Sequence, residues 1–220
     1  ICLFLNFNAC TENKEQEQVN YPVTNDFLVD SRATVETVAL YEFLRTFAGT
    51  GTMFGHQDDL AYGIGWWAQV DHSDVKAVCG DYPAVFGWDL GDINRQNNLD
   101  GVNFDNMIDW MKQINDFGGI ITISMHLDNP VTDQNAWDNS EAVSSILPGQ
   151  SDNMKYRSTL QHIANFLDRI KTSEGAYIPV ILRPYHEHNH TWPWWGSNSC
   201  TPAEYNALWQ MSVEYFRDES

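Results

Sequence analysis

The sequence predicts an α/β protein: a (β/α)8 TIM barrel, truncated here to about its first four βα units. Three observations predict it. Four apolar, strand-like segments alternate with helical stretches along the 220 residues, the pattern of a parallel sheet with right-handed crossovers. Each of those segments runs into polar residues at its carboxyl end. A barrel builds its active site on all its strand ends, whereas an open doubly wound sheet gathers its ligand at one switch point. Finally, a full barrel needs about 250 residues, and the fourth helix here reaches the end of the chain. A complete four-stranded open sheet is the alternative topology.

In chain order, Asp30 or Ser31 is positioned to cap a helix lined on one side by Leu40, Phe43, Leu44 and Phe47, and Gly49 stops it. Thr52-Met53-Phe54-Gly55 reads as the first strand and delivers His56-Gln57-Asp58-Asp59. A turn rich in Gly and Trp follows, and Ser73 caps a short helix through Val78. Ala84-Val85-Phe86-Gly87 delivers Trp88 and Asp89. Phe104, Met107, Ile108, Met111 and Ile114 recur at helical spacing and are closed by Gly118 and Gly119. The strand Ile120 to Ser124 delivers His126, and a long loop then carries Trp137. Leu160, Ile163, Ala164, Leu167 and Ile170 form the next helical stripe. Ile178, Val180, Ile181 and Leu182 read as a parallel strand covered on both faces, ended by Pro184. Thr201-Pro202-Ala203-Glu204 joins a capping box to a proline at the first helical position, and Tyr205, Leu208, Ser212 and Tyr215 continue that helix.

Composition narrows the function. A hydrophobic fraction of 43% fits one globular domain. A net charge of −18 argues against nucleic acid or an anionic membrane face as partner and favours a neutral ligand. The expected organisation is residues 1–25 as the remnant of an export signal with a flexible tether, then residues 26–220 as part of a catalytic barrel acting as a monomer. Ile1 to Cys10 looks like the end of such a signal, and Ala9 before Cys10 resembles the cleavage and lipidation site of a bacterial lipoprotein. Export to the cell surface or periplasm, with a lipid anchor at Cys10 as the only membrane attachment, is the expectation; plain secretion is the alternative. Thr11 to Asn20 lacks core-forming residues until Val19. Cys79 and Cys200 make no disulfide framework, and spacing leaves their pairing open.

The chemistry concentrates after the fourth strand, where Arg183-Pro184-Tyr185-His186-Glu187-His188-Asn189-His190-Thr191-Trp192-Pro193-Trp194-Trp195-Gly196 brings one acid, three histidines and three tryptophans together. General acids work best beside apolar and aromatic surface, which disfavours a carboxylate. Glu187 is the candidate acid. Tryptophan faces suit the C–H-rich faces of pyranose rings, and the indole N–H suits a hydroxyl. Two plainer readings compete: the tryptophans as packing, and His186, His188 and His190 as a zinc site on one strand face, which makes a metal-dependent hydrolase. His126 and His186 also admit a core role, paired with backbone carbonyls. A carbohydrate-binding protein without chemistry is a further alternative.

These residues resemble glycoside hydrolase family 26, whose best-known members are endo-β-1,4-mannanases. The resemblance runs from about Asp30 to the end of the chain. It rests on Phe54-Gly55-His56-Gln57-Asp58-Asp59 with Tyr62-Gly63 and Trp66, on Pro83 to Asp89, on Met125-His126-Leu127-Asp128-Asn129-Pro130, and most specifically on Arg183 to Asn189. It implies that Glu187 is the acid/base and that His186 orients the nucleophile and contacts the sugar at the cleavage point. His126 is implied to touch the sugar on the glycone side, with Trp192 and Trp137 as aromatic contacts. It implies a retaining endo-β-1,4-mannanase without cofactor or metal, acting on a neutral β-linked polysaccharide. Mixed-linkage β-glucan and β-xylan are the substrate alternatives within the family. The family's nucleophile glutamate lies on the seventh strand, outside this chain. Asp58, Asp59, Asp89, Asp92 and Asp128 sit near strand ends and are expected to bond loops and arginines such as Arg183.

Overall fold

The computed structural model describes residues 28 and 30–218. The expected signal remnant and tether, with Cys10, lie outside the described residues. Four parallel strands form one sheet in the order β1-β4-β5-β6: β1 (Gly55–Gln57), β4 (Val85–Asp89), β5 (Ile120–Ser124) and β6 (Val180–Arg183). Spatial order follows chain order, so no switch point exists among the described strands. That agrees with consecutive staves of an α/β barrel.

Each strand is followed by helix: α2 (Asp74–Cys79), α3 (Phe104–Asp116), α4 (Val143–Ile146) with α5 (Asn153–Leu167), and α6 (Pro202–Asp218). A further helix, α1 (Val35–Phe47), precedes the sheet. Its cap is Thr34, whose hydroxyl accepts from the Thr37 N–H, so the expectation of Asp30 or Ser31 is corrected. Asp30 instead accepts from the Arg32 N–H in a separate turn. The predicted cap at Ser73 and the capping box Thr201/Glu204 both form, the latter with the Thr201 N–H donating to Glu204 at 2.8 Å.

Register fixes which side chains face which layer, because successive residues of a strand point to opposite faces. Phe86 pairs with Ile121 and Trp88 with Ile123, and Trp88 stacks on Trp110 of α3 at 5.8 Å. This set therefore faces the helices, together with Val180 and Leu182 of β6. All four of Phe86, Trp88, Ile121 and Ile123 are buried, which stabilises the fold by about 2 kcal/mol per side chain of this size. The opposite face carries Gln57, Gly87, Asp89, Ser124, Ile181 and Arg183. At Gly87 a Cβ atom would stand 2.1 Å from the Gln57 Oε1 atom, so a larger residue there would have to turn the Gln57 side chain aside.

Three expectations need correction. The first strand starts at Gly55, and Phe54 is exposed. Among the described residues β6 is not covered on both faces: burial alternates along it, with Ile181 and Arg183 exposed. Neither the antiparallel hairpin of β2 (Tyr62–Gly63) and β3 (Trp66–Trp67) nor α4 was legible beyond a turn and a loop. Cys79 and Cys200 are both free thiols. Among the described residues no helix is long and apolar enough to cross a membrane.

Candidate active site

Regular pairing stops at Arg183, and Pro184 leads into a turn in which Tyr185 (φ +47°) and Glu187 (φ +57°) both adopt left-handed backbone. Such a conformation costs a bulky residue about 1–3 kcal/mol and persists only where the surroundings enforce it. Tyr185 is enforced from several sides. Its buried hydroxyl bonds Ser212 of α6 at 2.6 Å and the Tyr156 hydroxyl of α5, while its carbonyl accepts from the Tyr205 hydroxyl at 2.9 Å. One residue on, the His186 carbonyl accepts from the Trp195 indole at 2.7 Å. The backbone around Glu187 is therefore held by side chains of two helices and a tryptophan, and its exposed carboxylate accepts from the Trp192 indole N–H at 3.0 Å.

The strand ends supply a second feature. Asp89, 2% exposed, takes four donors: the Gly91 and His126 N–H groups at 2.7 and 3.1 Å, the Ser124 hydroxyl at 2.5 Å, and His126 Nδ1 at 2.7 Å. Burial alone would raise its pKa, yet the bonds from His126, Ser124 and Gly91, with the attraction of His126, hold it below the usual carboxylate range. His126 Nε2 lies 3.1 Å from His186 Nε2. Burial first, then His126 and Arg183, push His186 down to about 4, so its ring is neutral at pH 7.

Proton positions follow from these contacts. An ionised carboxylate only accepts, so His126 carries its proton on Nδ1. Whenever the His126 ring carries this one proton alone, its Nε2 is an acceptor and the His186 Nε2–H donates to it. In that state the remaining His186 nitrogen, Nδ1, is a bare lone pair, buried and without a hydrogen-bond partner among the described residues.

Rings of His126, Trp137 and Trp192 complete the site. Their centroids are 5.4, 5.5 and 5.6 Å apart pairwise, with planes within 28° of each other. Three rings in a column would put the outer two at roughly twice the pair spacing. The equal spacings instead make a triangle of rings stacked with offset on one another, the floor of the site, open to solvent at Trp137, which is 53% exposed. The geometry thus offers a carboxyl group, an imidazole pair and an aromatic surface side by side.

All five candidates, Glu187, His126, His186, Trp192 and Trp137, are brought together. Trp194 and Trp195 are not platforms: both are fully buried, with indoles donating to the Leu127 and His186 carbonyls, so packing is their role. The alternating histidines do not converge either. Residues after Arg183 form turns rather than strand, so His186 points to His126 while His188 stacks on Tyr205 at 4.6 Å and His190 is exposed. Among the described residues no group of three or more His, Cys, Asp or Glu side chains is arranged to hold a metal ion. Of the strand-end aspartates, Asp92 and Asp128 pair with an arginine as expected, but with Arg95, at 3.4 and 3.9 Å, in place of Arg183. Sequence reasoning missed Asp89 as a partner of His126. Its position just after the apolar run of β4 was the one signal available in the sequence; the pairing with Ser124 is seen only in the sheet.

Comparison with known proteins agrees with the fold. The profile of Glycosyl hydrolase family 26 matches residues 29–220. A mannan endo-1,4-beta-mannosidase of Bifidobacterium adolescentis is 35% identical over 195 residues, covering 86% of this chain and 19% of that protein. The structure of a family 26 beta-mannanase from Bacteroides ovatus superposes with a TM-score of 0.82 at 41% identity, covering 84% of this chain and 55% of that one. A Cellulomonas fimi endo-beta-1,4-mannanase double mutant gives 0.81 at 36% identity, with coverages of 87% and 44%. The chain therefore spans only part of the length of the relatives it matches, and it belongs to glycosyl hydrolase family 26.

Proposed function

We propose that the protein to which this chain belongs is a retaining endo-β-1,4-mannanase, with Glu187 as general acid/base. The observation that carries the reading is the Glu187 carboxylate fixed at the end of β6 against the Trp192 indole, beside the floor of His126, Trp137 and Trp192. Relatives named as mannan endo-1,4-beta-mannosidases support the substrate.

In the first step Glu187 gives its proton to the glycosidic oxygen while a second carboxylate, proposed to be a glutamate outside this chain, attacks the anomeric carbon. In the second step Glu187 removes a proton from water, whose oxygen displaces that carboxylate and releases the sugar with its configuration retained. His126, whose ring nitrogens are engaged by Asp89 and His186, borders the sugar on the glycone side, His186 orients the attacking carboxylate at the cleavage point, and Trp137 and Trp192 carry adjoining units.

Glu187→Ala in the intact enzyme tests the acid role. Substrate binding should persist, hydrolysis of mannan should fall by about 10²–10⁴-fold, and activated aryl mannosides should keep a fast first step. An equal loss on both substrate types in that step would count against it. A reducing-sugar assay across galactomannan, glucomannan, mixed-linkage β-glucan and xylan separates the substrate alternatives.

A further inference from the structure

We propose that a second cleft, at the carboxyl end of the sheet, binds a neutral pyranose unit of a polysaccharide. It has a volume of about 480 Å³ and is lined chiefly by Trp67, Gln96, Asn97, Asn103, Asn106 and Trp110. Three segments build it: the β2–β3 hairpin after β1, the loop after β4, and the first turns of α3. The hairpin and the loop leave the carboxyl ends of their strands, so the cleft opens at the same end as Glu187.

Trp67 is 56% exposed, an unusual position for so large an apolar ring. It is not loose: Tyr62 stacks on it at 5.1 Å with planes 7° apart, which fixes the ring and leaves its other side available. Gly101, at φ +83°, passes beside the ring edge, where a Cβ would lie 3.5 Å away and a longer side chain would cover the aromatic surface.

Facing this ring are polar groups with spare capacity. Asn103 is committed, its carbonyl oxygen capping α3 at the Asp105 and Asn106 N–H groups and its amide donating to Asn97 Oδ1. That leaves the Asn97 amide donors. The side-chain amides of Gln96 and Asn106, and the indole N–H groups of Trp67 and Trp110, have no hydrogen bond among the described residues. Asp105 is paired with Arg169. The cleft therefore offers paired donors and acceptors and a flat apolar surface, but no cation to spare. With a net charge of −18 the chain repels phosphates and uronic acids, so the matching ligand is a neutral sugar.

The loop after β4 has two working sides. Gln96, Asn97 and Gly101 line the cleft, while Asn98 donates to the Asp89 carbonyl at 3.2 Å and Asp100 feels the charges of Asp89 and His126. One loop thus separates the two sites, close enough for a single polysaccharide to serve both. The sugar's identity as mannose rests on the proposed function; the neutral-pyranose class does not.

The test is a titration of the ¹⁵N-labelled chain with mannohexaose, cellohexaose and xylohexaose, following indole and side-chain amide N–H signals by NMR. At least one hexaose should shift Trp67, Trp110, Gln96 and Asn106 saturably. Trp67→Ala, and separately Asn106→Ala, should weaken binding read at Trp110 roughly tenfold while the Trp192 indole responds as before. Shifts at Trp192 with none at Trp67 would overturn the cleft and leave the proposed function standing. Responses at Trp67 with none at Trp192 or Trp137 support the cleft and count against the aromatic floor. Silence at both, or variants that bind as tightly as the parent, overturns the cleft.

Discussion

Asp89 gathers four donors around two buried oxygens, and the consequence runs two imidazoles away. It holds a proton on His126 Nδ1, so that in the singly protonated ring Nε2 is the acceptor for His186. Asp89→Asn presents an amide that can donate to Nδ1 instead, so His126 should move its proton to Nε2 and reverse the His126–His186 bond. ¹⁵N NMR of the histidine rings reads this directly, and an unchanged His126 tautomer would sink the assignment. Asp58 carries a different signature. It is fully buried, Oδ1 has no partner among the described residues, and burial with nearby Asp100 and Asp89 pushes it up to about 7 against the opposing bond from Tyr62. Because the folded value lies above the unfolded one, the native chain takes up this proton first, and stability from Asp58 grows as pH falls from about 7 toward 4. His186 has the opposite sign: unfolded chains protonate it first, and stability is lost down to about 4. Subtracting parent from variant isolates Asp58. Asp58→Asn, assayed by urea unfolding, should hold its greatest stability relative to the parent at pH 8 and lose that margin by pH 5; a margin that widens toward acid contradicts the buried charge. Glu187 and His126 were legible because polar residues after an apolar run mark a strand's carboxyl end. Asp89 was not, since its role depends on which residue of β5 stands opposite.

The connection from β6 to α6 shows how an element can hold a residue in a conformation it would not choose. Tyr185→Phe keeps the ring among Trp194, Trp195 and Trp209 but deletes the hydroxyl that bonds Ser212 and Tyr156. Ser212 retains its bond to the Leu208 carbonyl, so the loss falls mainly on the buried Tyr156 hydroxyl, and unfolding free energy should drop by about 1–3 kcal/mol. Chemical denaturation measures it; a variant as stable as the parent would mean that Tyr185 is held by packing alone. Most elements could be read from sequence for simple reasons: the stripe of α3 has helical period, and Thr201 and Glu204 form a capping box. The hairpin escaped because two-residue strands carry no period to detect, and its Trp66 is fixed by Asp74, eight residues away, through a 2.6 Å bond. Apolar β6 misled in another way. Continuous hydrophobicity reports composition, and only pairing shows that Ile181 faces the uncovered side of the sheet.

Taken whole, the described chain assembles one side of the retaining site proposed here. Retention requires a second carboxyl group about 5–5.5 Å from the acid/base. The aspartates at the strand ends are already engaged: Asp58 with Tyr62, Asp59 with His56, Asp89 with His126 and Ser124, and Asp92 and Asp128 with Arg95. Asp58 and Asp89 are buried as well, out of reach of an anomeric carbon. Binding and catalysis should therefore separate. The aromatic floor and Glu187 are present, so the 220-residue chain should bind manno-oligosaccharides, while its release of reducing sugar from galactomannan should not exceed that of its own Glu187→Ala variant. The intact protein should exceed its Glu187→Ala variant by orders of magnitude in the same assay. Turnover by the isolated chain that disappears on Glu187→Ala would mean that one of these engaged aspartates, or water acting directly, completes the chemistry, and the two-carboxylate division proposed here would fall.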